Sequence, residues 1–133
     1  MSNRIGPVIA FLVCDQVITC KNTLKSTCVG IFDTINSMGF PFARPEMAIF
    51  ARIADVDGYH VGRIEIRDPE DKVLDKIGPF ECQQAKTATL EIVLSMVNVA
   101  FERPGVHQLQ LYLDGHMVAS SKLILNLLSQ KVG

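Results

Sequence analysis

Apolar residues recur at every second position through much of this chain, and turn residues interrupt them at short intervals. Near the end, Leu109, Leu111 and Leu113 alternate with Gln108, Gln110 and Tyr112, between Pro104-Gly105 and Asp114-Gly115. Asp-Gly between alternating runs is the strongest short-range hairpin cue, so this stretch predicts two antiparallel strands. Ile64 and Ile66 alternate with Arg63, Glu65 and Arg67 in the same way, giving one buried and one solvated face. Residues 8–18 form an apolar, β-rich run, Lys21-Asn22-Thr23 a turn, and Ser26 to Asp33 a returning strand. Residues 34–46, with Pro41, Pro45 and Gly39, read as the longest irregular stretch. Met47 to Val56 predicts a third strand, Asp57-Gly58 a hairpin turn and His60 to Asp68 a fourth strand. Asp68-Pro69-Glu70-Asp71 is then a turn and Lys72 to Ile77 a short edge strand, followed by an irregular connection around Pro79 and Gln83.

Residues 87–101 fit two periods. Ala88, Leu90, Ile92, Leu94 and Met96 lie two apart, while Leu90, Val93, Leu94 and Val97 fall on one helical face. Flanking hairpin strands and β-branched composition favour strand over helix. The sum is an all-β single domain over residues 1–133, expected as an immunoglobulin-like or Greek-key β-sandwich of about seven to nine strands. Two sheets with one apolar face each close only on one another.

Composition changes this picture little. A chain of 133 residues with 48% hydrophobic and 20% charged residues is long enough to bury a core without disulfides or a metal. A formal net charge of −1 with no clustering of either sign leaves no footprint for nucleic acid or anionic lipid. The apolar stretch from Ile5 to Cys14 is half the length of a membrane helix, and Leu12-Val13 before Cys14 lack the small residue a signal cleavage site needs. It reads as a buried first strand of a cytoplasmic protein with no membrane contact. Cys14, Cys20, Cys28 and Cys82 form no Cys-x-x-Cys pair and read as free thiols of a reducing compartment, with Cys14 and Cys28 able to face each other across the first hairpin.

Chemistry-bearing residues are scattered. Asp55 and Asp57 sit on one turn, Asp68, Glu70 and Asp71 on another, about 25 Å away along the fourth strand, too far to converge on a calcium ion. His60, His107 and His116 show no shared offset that would make a metal site. No nucleophile elbow, zincin motif or phosphate loop is present. Asp15 and Asp33, ending the first two strands, form a weak acidic pair that meets only in a shifted hairpin register; strand-end capping is the competing role. Met38, Phe40 and Phe42 in the 34–46 stretch form either an exposed interaction loop or a plug over the open end of the core. Lys72, Asp75 and Lys76 guard an edge, whereas Lys122 to Leu128 is apolar on both faces and suits a central or partner-covered place.

Several short motifs taken in order, Cys14-Asp15, Gly30-Ile31-Phe32-Asp33, Phe40-Pro41, Pro104-Gly105 and Asp114-Gly115, give the chain a resemblance to an uncharacterised bacterial domain-of-unknown-function family of small β-sandwich proteins. That resemblance implies a fold and a compact cytosolic domain, and no activity. His107 stands two residues after the Pro-Gly turn, where such sandwiches often place the tyrosine of a tyrosine corner. The expected function is a non-enzymatic protein-interaction or assembly module, with a protein partner or a homodimer and no cofactor. The alternative is a small-ligand-binding domain or an enzyme whose site is built from loops.

Overall fold

The computed structural model describes residues 3–128 and contains no helix among them. Seven strands follow in order: β1 Val8–Thr19, β2 Ser26–Phe32, β3 Thr34–Ser37, β4 Phe42–Arg67, β5 Val73–Phe101, β6 Gly105–Leu113 and β7 His116–Leu127. They form one mixed sheet in the order β2-β1-β4-β6-β7-β3, with β5 on the remaining side of β4. All pairings are antiparallel except β3 with β7.

The two longest strands organise the molecule. A straight strand of 26 residues would reach about 85 Å, whereas a 133-residue domain has a radius of gyration of roughly 14 Å. β4 must therefore bend, and it does so where its register with β5 shifts, between Ile53 and Gly58. Before the bend, β4 pairs with β1 through Val8↔Ile53 to Cys14↔Ala48. After it, the same edge pairs with β6 through Gly62↔Leu113 to Arg67↔Gln108. The apolar faces of the two halves meet in a single core. Met47, Ile49 and Ile53 come from the first half of β4, Ile64 and Ile66 from the second, and Leu109, Leu111 and Leu123 from β6 and β7.

The alternation read from sequence places these side chains. In β6, His107, Leu109, Leu111 and Leu113 are buried and the residues between them are not. At Asp114-Gly115 the chain makes the expected two-residue turn, with φ of 53° and 81°, the left-handed pair a type I′ hairpin needs. Residues 87–101 are strand, the second half of β5. The Asp68–Asp71 turn also forms: the Asp68 carboxylate accepts from the amides of Glu70 and Lys72.

Three expectations are corrected. Residues 34–46 are not irregular throughout: β3 occupies 34–37 and β4 begins at Phe42. Pro45 is tolerated in β4 because pairing with β1 stops at Ala48, leaving one edge open where the proline lacks its donor. Asp57-Gly58 is not a hairpin turn. β4 runs on through it, opposite the extra residues 85–87 that bulge from β5. Lys72 to Ile77 is not a separate short strand but the start of β5, which runs on through Pro79 to Phe101. The strand expected after Asp114-Gly115 and the apolar run from Lys122 are one element, β7, which lies between β6 and β3, the central place its two apolar faces call for.

Candidate functional site

The β1–β2 hairpin leaves the sheet. β1 pairs with β4 only as far as Cys14 and with β2 from Val13 to Thr19. Ser26 of β2 nevertheless donates a 2.7 Å hydrogen bond to the Glu91 carboxylate on β5. β1 and β4 separate those strands in the sheet, a lateral distance of about 14 Å, so the hairpin must fold over the outer face to close it. What it covers is visible in the burial. Met47, Ile49, Ala51 and Ile53 point into the core, so Ala48 and Phe50 point outward, and Cys14 lies opposite Ala48 on that same side. All three are nonetheless buried. Half-buried Val17, Ser26 and Cys28 form the underside of the flap, and burial together with the nearby Cys28 thiol pushes the Cys14 thiol pKa up.

The top of the flap is apolar. Ile18 and Val29 have 47% and 41% of their surface exposed, Ile31 beyond Gly30 has 61%, and Leu24 at the tip has 76%. Gly30, with φ of 67°, lets β2 twist; a Cβ there would sit 2.2 Å from the Asp15 carboxylate. This surface escaped the sequence reading because residues 14–31 look like an ordinary hairpin, and nothing local says that one of its faces has left the core. The one available signal was that both faces of β2 carry apolar residues.

The residues singled out from sequence separate. Phe40 and Phe42 are half-buried and pack against the core, while Met38 is 57% exposed. The 38–42 segment thus seats two of its three apolar side chains as a plug. Asp15 and Asp33 are not brought together: Asp15 lies beside Gly30 and pairs with Arg44, and Asp33 follows Phe32, which faces Val13. The Asp33 carboxylate accepts from the Thr34 hydroxyl at 2.9 Å. The four cysteines are free, and Cys28 faces Val17 rather than Cys14 in the ladder. Asp57 is tied to the Arg4 amide and Asp68 to Arg103, at the two ends of β4's second half. Among the described residues, no group of three His, Cys, Asp or Glu side chains is placed to hold a metal ion, and no helix is long and apolar enough to cross a membrane.

Two histidines occupy contrasting buried sites. His60 donates through Nδ1 to the Asp114 carboxylate at 2.6 Å and through Nε2 to the Asp57 carbonyl at 2.7 Å. Two acceptors require two protons, so the ring is an imidazolium. Burial opposes that charge, but the bonds to Asp114 and Asp57 outweigh it and raise the His60 pKa. His107 packs edge-on against Phe101, with ring centroids 5.3 Å apart. It donates through Nδ1 to the Gly105 carbonyl at 3.1 Å. Burial depresses its pKa, and its Nε2 has no hydrogen-bond partner. The ring borders a polar cavity of about 370 Å³ lined also by Asp68, Glu70, Lys72 and Arg103. Where a tyrosine corner would stand, the chain thus keeps a neutral imidazole.

No curated protein matches the chain. A family described as a family of unknown function, DUF6941, matches residues 9–126, from the start of β1 to the last turn of pairing in β7. The flap, the long β4–β5 pair and both buried histidines all fall inside that span, and on it the chain belongs to this family of unknown function.

Proposed function

We propose that this protein is a non-enzymatic interaction or assembly module whose contact surface is the outer face of the β1–β2 flap. The observation that carries this reading is the contiguous exposure of Ile18, Val29 and Ile31, flanked by Leu24, on a hairpin already anchored by Ser26 and Glu91. Isolated exposed aliphatics are ordinary, but several gathered on one hairpin mark a surface with a partner. Fully burying such a side chain contributes roughly 1.5–3 kcal/mol, and three together outweigh part of the cost of association. We read the surrounding fold as an immunoglobulin-like sandwich, supported by the bend of β4 and β5 around one core. A bacterial, cytoplasmic setting is supported by the family resemblance and by four unpaired thiols.

The test is association of the full chain, with itself or with a host protein retained by the immobilised chain, compared with Ile31→Asp. The expected result is loss of association with an unchanged melting temperature, since Ile31 contributes little to the core. Association that survives Ile31→Asp and Ile18→Asp sinks the reading.

One observation favours a second reading, a small-ligand site. The cavity of about 370 Å³ is lined by His107, whose buried Nε2 has no hydrogen-bond partner, together with Arg103. An NMR screen of small amines and alcohols would show shifts at His107 and Arg103 if this site is used. A screen that leaves both resonances unmoved removes this reading.

A further inference from the structure

We propose that the occupant of the flap is a second copy of this chain, paired edge to edge through β2 about a two-fold axis at Val29. This rests on the interaction-module reading and names its partner. β2 ends the sheet and pairs with β1 alone, so its other edge presents backbone donors and acceptors with no partner strand among the described residues. Edges that are to stay single are guarded by charge or proline. The first part of β5 carries such guards in Asp75 and Lys76, whereas Ser26–Phe32 contains no charged residue and no proline.

The sequence on either side of β2 is self-complementary under one register. An antiparallel pair centred on Val29 sets residues whose numbers sum to 58 opposite each other. Val29 meets its own copy, Thr27 meets Ile31, and exposed Lys25 meets exposed Asp33 of the partner subunit. By symmetry the Lys–Asp pair forms twice, once at each end of the strand. A two-fold contact is isologous and closes on itself, which limits it to a dimer. Moving the centre one residue either way sets Lys25 against Ile31 or Ile35 and loses both charge pairs. Charge complementarity and an edge free of charged residues and proline therefore select the same arrangement.

Sedimentation equilibrium of the full chain, from about 10 to 500 µM at low salt, tests it directly. The wild type should show a monomer–dimer equilibrium in this range. Val29→Lys sets two like charges face to face at the axis and should weaken the dimer at least about tenfold. Lys25→Glu and Asp33→Lys, each alone, replace attraction by repulsion at both ends and should weaken it by about tenfold. Combined, the two reversals restore opposite charges and should return the affinity to within about twofold of wild type. Circular dichroism melting unchanged across these exposed substitutions separates lost pairing from lost fold. The proposal is overturned if the wild type stays monomeric throughout, if Val29→Lys leaves the dimer intact, or if the double reversal is no better than the singles. A monomeric wild type that still retains a host protein, lost on Ile31→Asp, would overturn self-pairing alone and leave the module reading standing. A chain with neither association overturns both.

Discussion

His60 and His107 are both almost wholly buried, yet they tie stability to pH with opposite signs. His60 has a folded pKa raised above the ordinary 6.5 because its bonds to Asp114 and Asp57 outweigh burial. Its contribution is fully present below pH 6.5 or so and is lost as pH rises through the raised folded value. His107 has a folded pKa pushed below 6.5 by burial. The unfolded chain takes up a proton there that the fold rejects, so His107 lowers stability as pH falls below about 6.5. Urea unfolding at several pH values should separate them. His60→Gln leaves the His107 slope, with stability rising from about pH 5 to 7, and His107→Gln leaves the His60 slope, with stability falling from about pH 6 to 8. Slopes of the same sign in the two variants would refute the assignment. A second contrast lies in the 38–42 segment. Half-buried Phe40 packs on the core and Met38 does not, so Phe40→Ala should destabilise by about 2 kcal/mol, below the value for a fully buried Phe, and Met38→Ala by under about 0.5 kcal/mol. Sequence could flag these three apolar residues but not divide them, because their burial depends on strands far away in the chain.

At the scale of elements, the flap is a lid over a small apolar patch, and its clasp is the Ser26–Glu91 hydrogen bond. Ser26→Ala removes a bond whose net worth is about 1 kcal/mol, so opening of the hairpin should become about fivefold more frequent. Site-resolved thiol labelling by mass spectrometry reads this at Cys14, fully buried beneath the flap, against Cys20, which is exposed at the turn in every state. Faster labelling of Cys14 with Cys20 unchanged is the expected outcome; equal Cys14 rates in the two proteins would mean the flap opens independently of the clasp. The same elements show what the chain discloses about itself. Asp-Gly occurs twice, at 57–58 and 114–115, and only the second is a hairpin turn. Residues that accept positive φ serve a two-residue turn and a strand opposite a bulge equally well, and Gly58 at 83° resembles Gly115 at 81°. What decides between them is the strand opposite. Asp114-Gly115 joins β6 to β7, its neighbour in the chain, whereas Asp57-Gly58 faces β5 residues some thirty positions on. Local turns, the strand character of 87–101 and the alternation in β6 were therefore legible, and the long β4–β5 pairing, the flap and its apolar top were not. The buried His60–Asp114 contact lies in the second group, although the Asp114 turn itself was evident.

For the whole molecule, β4 and β5 run through both halves and a single core joins them, which makes independent unfolding of either half unfavourable. The two tyrosines test this, because the chain has no tryptophan and both tyrosines sit on one side of the bend, Tyr59 in the second half of β4 and Tyr112 in β6. Their fluorescence reports that half alone, while far-ultraviolet circular dichroism reports all seven strands. Ile49 lies in the first half of β4, fully buried and facing Leu94 of β5 rather than either tyrosine. Ile49→Ala should destabilise by about 2–5 kcal/mol, as should Leu109→Ala beside Tyr112 in β6. In a cooperative fold each substitution moves the tyrosine and dichroism transitions in urea by the same amount, with the two curves still superimposed. If Ile49→Ala shifts the dichroism curve and leaves the tyrosine transition where it was, the bend at Ile53–Gly58 is a boundary between two cooperative units. The shared core then fails to couple the halves, and the flap, carried by the first half through β1, could open without disturbing the half that holds His60 and His107.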